Sequence, residues 1–155
     1  MRHLGLDLGT KTLGIAISDI NEIIASPLTT LKFVSMNDKV IDELKDIVLN
    51  RNVEKIVLGL PKNMNNTIGP RAEATIEFKK ILENKLNIKI DLMDERLTTK
   101  EAESILINAD MSRKKRKKVI DQMAAVIILQ NYLNRRSNQN GKNWRRKECF
   151  YCYRR

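Results

Sequence analysis

Three acidic positions stand where packing alone gives little reason for a carboxylate: Asp7, the pair Asp94-Glu95, and Asp121. Asp7 falls in the middle of an apolar run, Leu4-Gly-Leu-Asp-Leu8, where an ionised group is costly unless it is paired. Backbone donors, a basic side chain or a metal ion could pair it, and a metal ion is expected. Asp94-Glu95 sits where a strand hands over to a loop, the place where open α/β sheets bind ligands. Asp121 enters a strongly apolar helix, with Ala124 and Ala125 small enough to let that helix approach a sheet closely. Carboxylates converging from two strands and a helix repel one another unless cations lie between them. Two hard cations roughly 4 Å apart would activate a water and stabilise the leaving oxygen in phosphodiester cleavage. Each acid also has a plain structural role to offer. Asp121 could favour the positive end of a helix, and Asp94 or Glu95 could pair with Arg96 or a lysine.

Other polar groups suit a nucleic-acid backbone. Lys11 lies in the turn after Asp7, and the segment Gly59–Gly69 carries Asn63, Asn65 and Asn66 beside a strand stop at Gly59 and Pro61. Asparagine amides tolerate left-handed backbone and can meet phosphate oxygens. His3, the single histidine, is expected to pack or face solvent, since no Ser/His/Asp set is apparent. Cys149-Phe-Tyr-Cys152 has the spacing of half a zinc site and no second half.

These residues need elements to position them. Residues 4–19 read as two strands joined by a glycine-containing turn. In the first, Leu4, Leu6 and Leu8 share one face and His3, Gly5 and Asp7 the other. In the second, Leu13, Ile15 and Ile17 alternate with Gly14, Ala16 and Ser18. A third strand is expected over Glu22–Leu31, with Pro27 marking a sheet edge. Ser35 and Asp38 open a helix with the stripe Val40, Leu44, Ile47 and Val48. Lys55–Gly59 reads as a buried strand, and Ala74, Phe78, Ile81 and Leu82 as a helix ending near Leu86. A strand follows over Ile88–Met93. Thr98 and Glu101 cap another helix, and the last helix spans Val119–Leu133. An antiparallel start followed by alternating elements predicts an α/β fold, a mixed sheet with helices on both faces.

Composition bounds the rest. The chain of 155 residues fits one domain and contains no run of eighteen apolar residues. It enters a strand directly, without a leader, and its two cysteines lie in the tail, so a cytoplasmic location with no membrane contact is expected. Net charge is +10; six of the basic residues and one acid lie in 137–155, leaving +5 elsewhere, partly concentrated in Arg113–Lys118. That balance suits a polyanionic partner or a solvated basic face. The division expected is a domain over 1–136 and a basic, aromatic-containing tail over 137–155, with Trp144, Phe150, Tyr151 and Tyr153 among its cations.

Four segments together resemble the YqgF/RuvX family, the RuvC-related branch of RNase H-like nucleases. They are Gly5-Leu-Asp-Leu-Gly-Thr-Lys11 with Gly14–Asp19; Gly59-Leu-Pro61 with Gly69-Pro-Arg-Ala72 and Phe78; Asp94–Thr99 with Glu101-Ala102; and Ile120–Ala125 with Ile128–Gln130 and Tyr132-Leu133. The resemblance covers roughly residues 1–135. It implies an RNase H-like fold with a five-stranded sheet in the order 3-2-1-4-5. It also implies a Mg²⁺- or Mn²⁺-dependent nuclease acting on the 5′ end of precursor 16S ribosomal RNA; a monomer or homodimer is expected. The acids that match are Asp7, Glu95 and Asp121, as catalytic residues and metal ligands, with Asp94 in reserve. Lys11, Asn63, Arg71 and Arg96 are the expected nucleic-acid contacts. The sequence departs from the family at Thr12 and Asn66, and the strand ending at Gly59 lacks the glutamate that RuvC-type resolvases carry there.

Three other readings compete with this one. The Asp-x-Gly-Thr turn also resembles the phosphate hairpin of actin-like ATPases and sugar kinases, which need a second domain for which 155 residues leave no room. The others are a Holliday junction resolvase acting on branched DNA, and a non-catalytic nucleic-acid-binding factor.

Overall fold

The computed structural model describes residues 1–34, 38–61, 68–94 and 123–138. The strands are β1 (Arg2–Leu8), β2 (Thr12–Ser18), β3 (Ala25–Lys32), β4 (Val53–Leu60) and β5 (Ile90–Asp94). The helices are α1 (Asp38–Asn50), α2 (Pro70–Leu86) and α3, residues 123–138. One five-stranded sheet runs β3-β2-β1-β4-β5. β1 pairs antiparallel with β2 and parallel with β4, so β1 is central and the sheet is mixed. This is the predicted order.

Strand alternation divides the core in two. Leu4, Leu6, Leu13, Ile15, Ile56, Leu58 and Ile90 face α1 and α2, packing with Val40, Leu44, Val48, Phe78 and Leu82. On the opposite face Ala16, Val57 and Met93 meet Ala125, Ile128, Leu129 and Leu133 of α3. Helices therefore cover both faces, as the alternation requires. Among the described residues, no helix is long and apolar enough to cross a membrane.

Several boundaries differ from the sequence reading. β3 begins at Ala25 rather than Glu22, because Asp19 organises a turn that consumes residues 20–24. Its carboxylate accepts from the backbone N–H groups of Asn21, Ile23 and Ile24, and Glu22 takes φ 60. Pro27 does lie on an edge strand, beside a register shift in the β2–β3 ladder. β5 begins at Ile90 because Asn87 closes α2 in a left-handed C-cap, its N–H donating to the Glu83 carbonyl. The inward face of α2 is Ala72, Thr75, Phe78 and Leu82; Ala74 and Ile81, expected inside, are exposed. Thr75 is tolerated there because its hydroxyl donates to the Arg71 carbonyl at 2.8 Å. α3 continues past Leu133 to residue 138, while its expected start at Val119 lies outside the described residues, as do the helix begun by Thr98 and the tail.

Candidate active site at the end of the central strand

Asp7 lies near the carboxyl end of β1, partly buried, on the α3 face of the sheet. Its antiparallel neighbour on β2 is Gly14. On the other side, Asp7 and Gly59 each stand one residue beyond the Leu6–Leu58 pair. Glycines thus flank the carboxylate on both neighbouring strands. A β-carbon built on Gly14 would lie 3.6 Å from the Asp7 Cβ and 3.6 Å from the Ala125 Cβ. The ground beside Asp7 is therefore a small recess walled by β2 and the first turns of α3.

Close approach of α3 creates that wall. Gly5, two residues before Asp7 on the same face, meets the helix directly: a β-carbon there would fall 2.6 Å from the Leu129 Cβ and 2.8 Å from the Ala125 carbonyl oxygen. The expectation that small residues let the last helix sit tightly on the sheet is met at Ala125, with Gly5 as its counterpart.

Polar clamps hold the far half of α3. The Gln130 side chain accepts from the Ala25 N–H at 2.9 Å and donates to the Ile23 carbonyl at 2.8 Å. The Tyr132 hydroxyl donates to Asp91 Oδ2 at 2.7 Å, and Lys55 Nζ donates to the same oxygen at 3.0 Å and to the Tyr132 oxygen at 3.1 Å. Burial opposes ionisation of Asp91, but hydrogen bonds from Tyr132 and Lys55 outweigh it and hold the carboxyl below its usual range. The bonds with Tyr132 and then Asp91 raise Lys55. Nearby, Arg136 contacts His3 Nε2 and pairs with Glu22 at 3.0 Å. His3 is 2% exposed, and burial lowers its pKa. It packs, as expected.

Of the remaining expected site residues, Lys11 is exposed in the turn between β1 and β2, closed by Gly9 N–H donating to the Thr12 carbonyl at 2.8 Å. A β-carbon on Gly9 would meet Thr12 Oγ1 at 2.7 Å and the Thr12 carbonyl at 3.1 Å, so glycine eases this turn. Arg71 is exposed in the first turn of α2. Asp94 pairs with Leu60 and so shares the face of Ile90 and Leu58, opposite to Asp7. The α3 face at this end of β5 belongs to Met93. Glu95, Asp121, Asn63 and Arg96 lie outside the described residues. Among the described residues, no group of three or more His, Cys, Asp or Glu is gathered as a metal site. The clamps by Lys55, Asp91, Gln130 and Tyr132 escape a sequence reading, because they join positions 36 to 107 residues apart.

The sheet order, and helices on both faces, define an RNase H-like fold. Thermus thermophilus RuvC has the same architecture: in complex with Holliday junction substrate it superposes with a TM-score of 0.56 at 12% identity, over 89% of this chain and 96% of RuvC. Sequence comparison goes further. A family model described as "RuvX: Holliday junction resolvase" matches residues 1–135. A protein of Bacillus pumilus (strain SAFR-032) called "Putative pre-16S rRNA nuclease" is 56% identical over 135 residues, covering 86% of this chain and 98% of that protein. A protein of the same name from Bacillus subtilis (strain 168) is 54% identical over the same length. The chain belongs to the RuvX family, a family of nucleases.

Proposed function

We propose that the protein is a divalent-metal-dependent endonuclease that hydrolyses phosphodiester bonds of precursor 16S ribosomal RNA in the cytoplasm, with residues 1–136 as the nuclease unit. The observation that carries this reading is Asp7 in its recess, flanked by Gly14 and Gly59 and walled by Ala125. Glycines on both neighbouring strands keep β-carbons away from the Asp7 carboxylate, and its oxygen donors suit Mg²⁺ or Mn²⁺. Asp7, Glu95 and Asp121 would hold the cation. Glu95, the acid that matches the family, is preferred over Asp94, because Asp94 sits on the face of the sheet opposite to Asp7.

When bound, the cations would activate water and stabilise the leaving oxygen. The chain's own groups bind and orient. Lys11, exposed in the β1–β2 turn, and Arg71, exposed at the start of α2, hold phosphates, and Asn63 and Arg96 are further nucleic-acid contacts. Gln130 and the Tyr132–Asp91–Lys55 cluster fix α3 against the sheet, which sets the height of the wall beside Asp7.

Precursor ribosomal RNA is favoured because relatives above 50% identity carry that name, whereas the likeness to RuvC rests on 12% identity. Branched DNA is the second reading, favoured by the family's own description. The test compares the purified protein with Asp7→Asn on precursor 16S RNA and on a four-way DNA junction, with Mg²⁺ or Mn²⁺ and with chelator. Chelator-sensitive cleavage of the RNA, lost in Asp7→Asn, is expected. Cleavage by both proteins, or cleavage that survives chelation, contradicts the mechanism, and metal-dependent cleavage confined to the junction reverses the substrate preference.

A further inference from the structure

On the opposite side of the sheet from the Asp7 carboxylate lies a cleft of about 390 Å³ between α2 and the end of β1. Among the described residues, its walls include Leu8, Phe33, Ala74 and Phe78, and Arg71 and Glu77 stand on its α2 side. Its volume falls within the range of small-molecule sites. Its chemistry is mixed in a particular way: the partly exposed ring of Phe33 and aliphatic carbon over a floor of buried Phe78, with an exposed guanidinium and an exposed carboxylate from the same helix.

We propose that this cleft receives one unstacked nucleobase of the bound nucleic acid. The proposal rests on the nucleic-acid reading above and adds a base-holding subsite to it. A base presents apolar π faces and a polar edge, and the cleft offers a complement to each. Phe33, partly exposed, supplies ring surface for a face, with Leu8, Ala74 and Ile81 as the apolar surroundings and buried Phe78 closing the floor. The Glu77 carboxylate accepts from amino or imino N–H groups on the edge. Arg71 meets the attached phosphate. A free phosphate or other small anion would face Glu77 unfavourably, and a purely apolar ligand would leave both charges unused. Position supports the same occupant. One wall is Leu8, Gly9 and Thr10, the residues that follow Asp7 directly, and exposed Lys11 tops the turn between the two sides. A strand crossing that turn presents a phosphodiester toward the Asp7 face while a neighbouring base turns down on the α2 face.

The test uses the full chain and short single-stranded RNAs from the 5′ region of precursor 16S RNA, each with one base replaced by fluorescent 2-aminopurine. Binding is followed separately by anisotropy. One position is expected to change its emission severalfold at saturation while its neighbours do not. Ala74→Trp fills the cleft from an exposed helix position, so folding is retained, and Phe33→Ala removes a ring. Both should abolish the positional response and weaken binding about tenfold, the scale of one lost stack. Lys11→Ala should weaken binding but leave the response intact at saturation. RNA that binds with no responsive position, or a response unchanged in Ala74→Trp, overturns the subsite and leaves the nuclease reading standing. RNA that does not bind at any concentration overturns both.

Discussion

Gly5 of the central strand and Leu129 of α3 touch so closely that no side chain fits between them, the Leu129 Cβ lying 2.6 Å from where a β-carbon on Gly5 would stand. The contact sits two residues from Asp7 on the same face, so it sets how high the helix rides over the candidate site. Gly5→Ala forces the helix outward, because the second obstacle is the Ala125 carbonyl oxygen at 2.8 Å, a backbone atom. A loss of about 1–3 kcal/mol in urea denaturation is expected, the usual cost of overpacking. Cleavage should fall further than the stability loss explains.

Gly14→Ala supplies the contrast. Its β-carbon would make ordinary 3.6 Å contacts with Asp7 and Ala125, and alanine gains about 0.5–1 kcal/mol over glycine in a strand. The variant should melt within a few degrees of the parent and yet cleave poorly, since the new methyl occupies the recess. Parental activity in Gly14→Ala would show that the recess is not used.

Tyr132→Phe removes the hydroxyl that donates to Asp91 and accepts from Lys55. A cost of about 1–2 kcal/mol near neutral pH is expected from urea midpoints. The sign with pH follows from Asp91. Its folded pKa is depressed, so ionised Asp91 contributes stability above its unfolded value of about 3.9, and that contribution is lost as pH falls through the folded value. The gap between parent and Tyr132→Phe should therefore narrow below about pH 4.

His3 makes the opposite test. Burial lowers its pKa, with Arg136 and Lys55 adding to the effect and Glu22 opposing it, so the unfolded chain binds the proton first. Stability is then lost as pH falls through the unfolded value of about 6.5 toward the folded one, by at most about 1.4 kcal/mol per pH unit. Denaturation midpoints at pH 7.5 and 5.5 should differ more in the parent than in His3→Gln.

Lys11→Ala and Arg71→Ala should each weaken RNA binding and lower the slope of log K against log salt by about 0.7, the value for one phosphate contact on a single strand. An unchanged slope removes that residue from the interface.

Much of this was legible in the sequence because alternation is a local signal. Leu4, Leu6 and Leu8 against His3, Gly5 and Asp7 separated the two faces of β1 correctly, and Pro27 marked the edge. The reading failed where polar groups overrule apolar pattern. α2 buries Ala72, Thr75, Phe78 and Leu82, with Thr75 tolerated inside because its hydroxyl bonds the preceding turn, and Ala74 and Ile81 are left outside to line the cleft. Asp19 takes three backbone donors and shortens β3. Asp7 was legible as a misplaced charge. That Gly5 seats the helix, and that Asp94 faces away from Asp7, depend on pairings between strands that no local pattern encodes.

Joint binding of divalent cations by Asp7, Glu95 and Asp121 is tested most directly by titrating Mn²⁺ into the purified protein and into Asp7→Asn, Glu95→Gln and Asp121→Asn, with bound ion read by electron paramagnetic resonance. Saturable binding in the parent, weakened at least about tenfold in each variant while all remain folded, is the predicted result. Parental Mn²⁺ affinity in Asp7→Asn would contradict it.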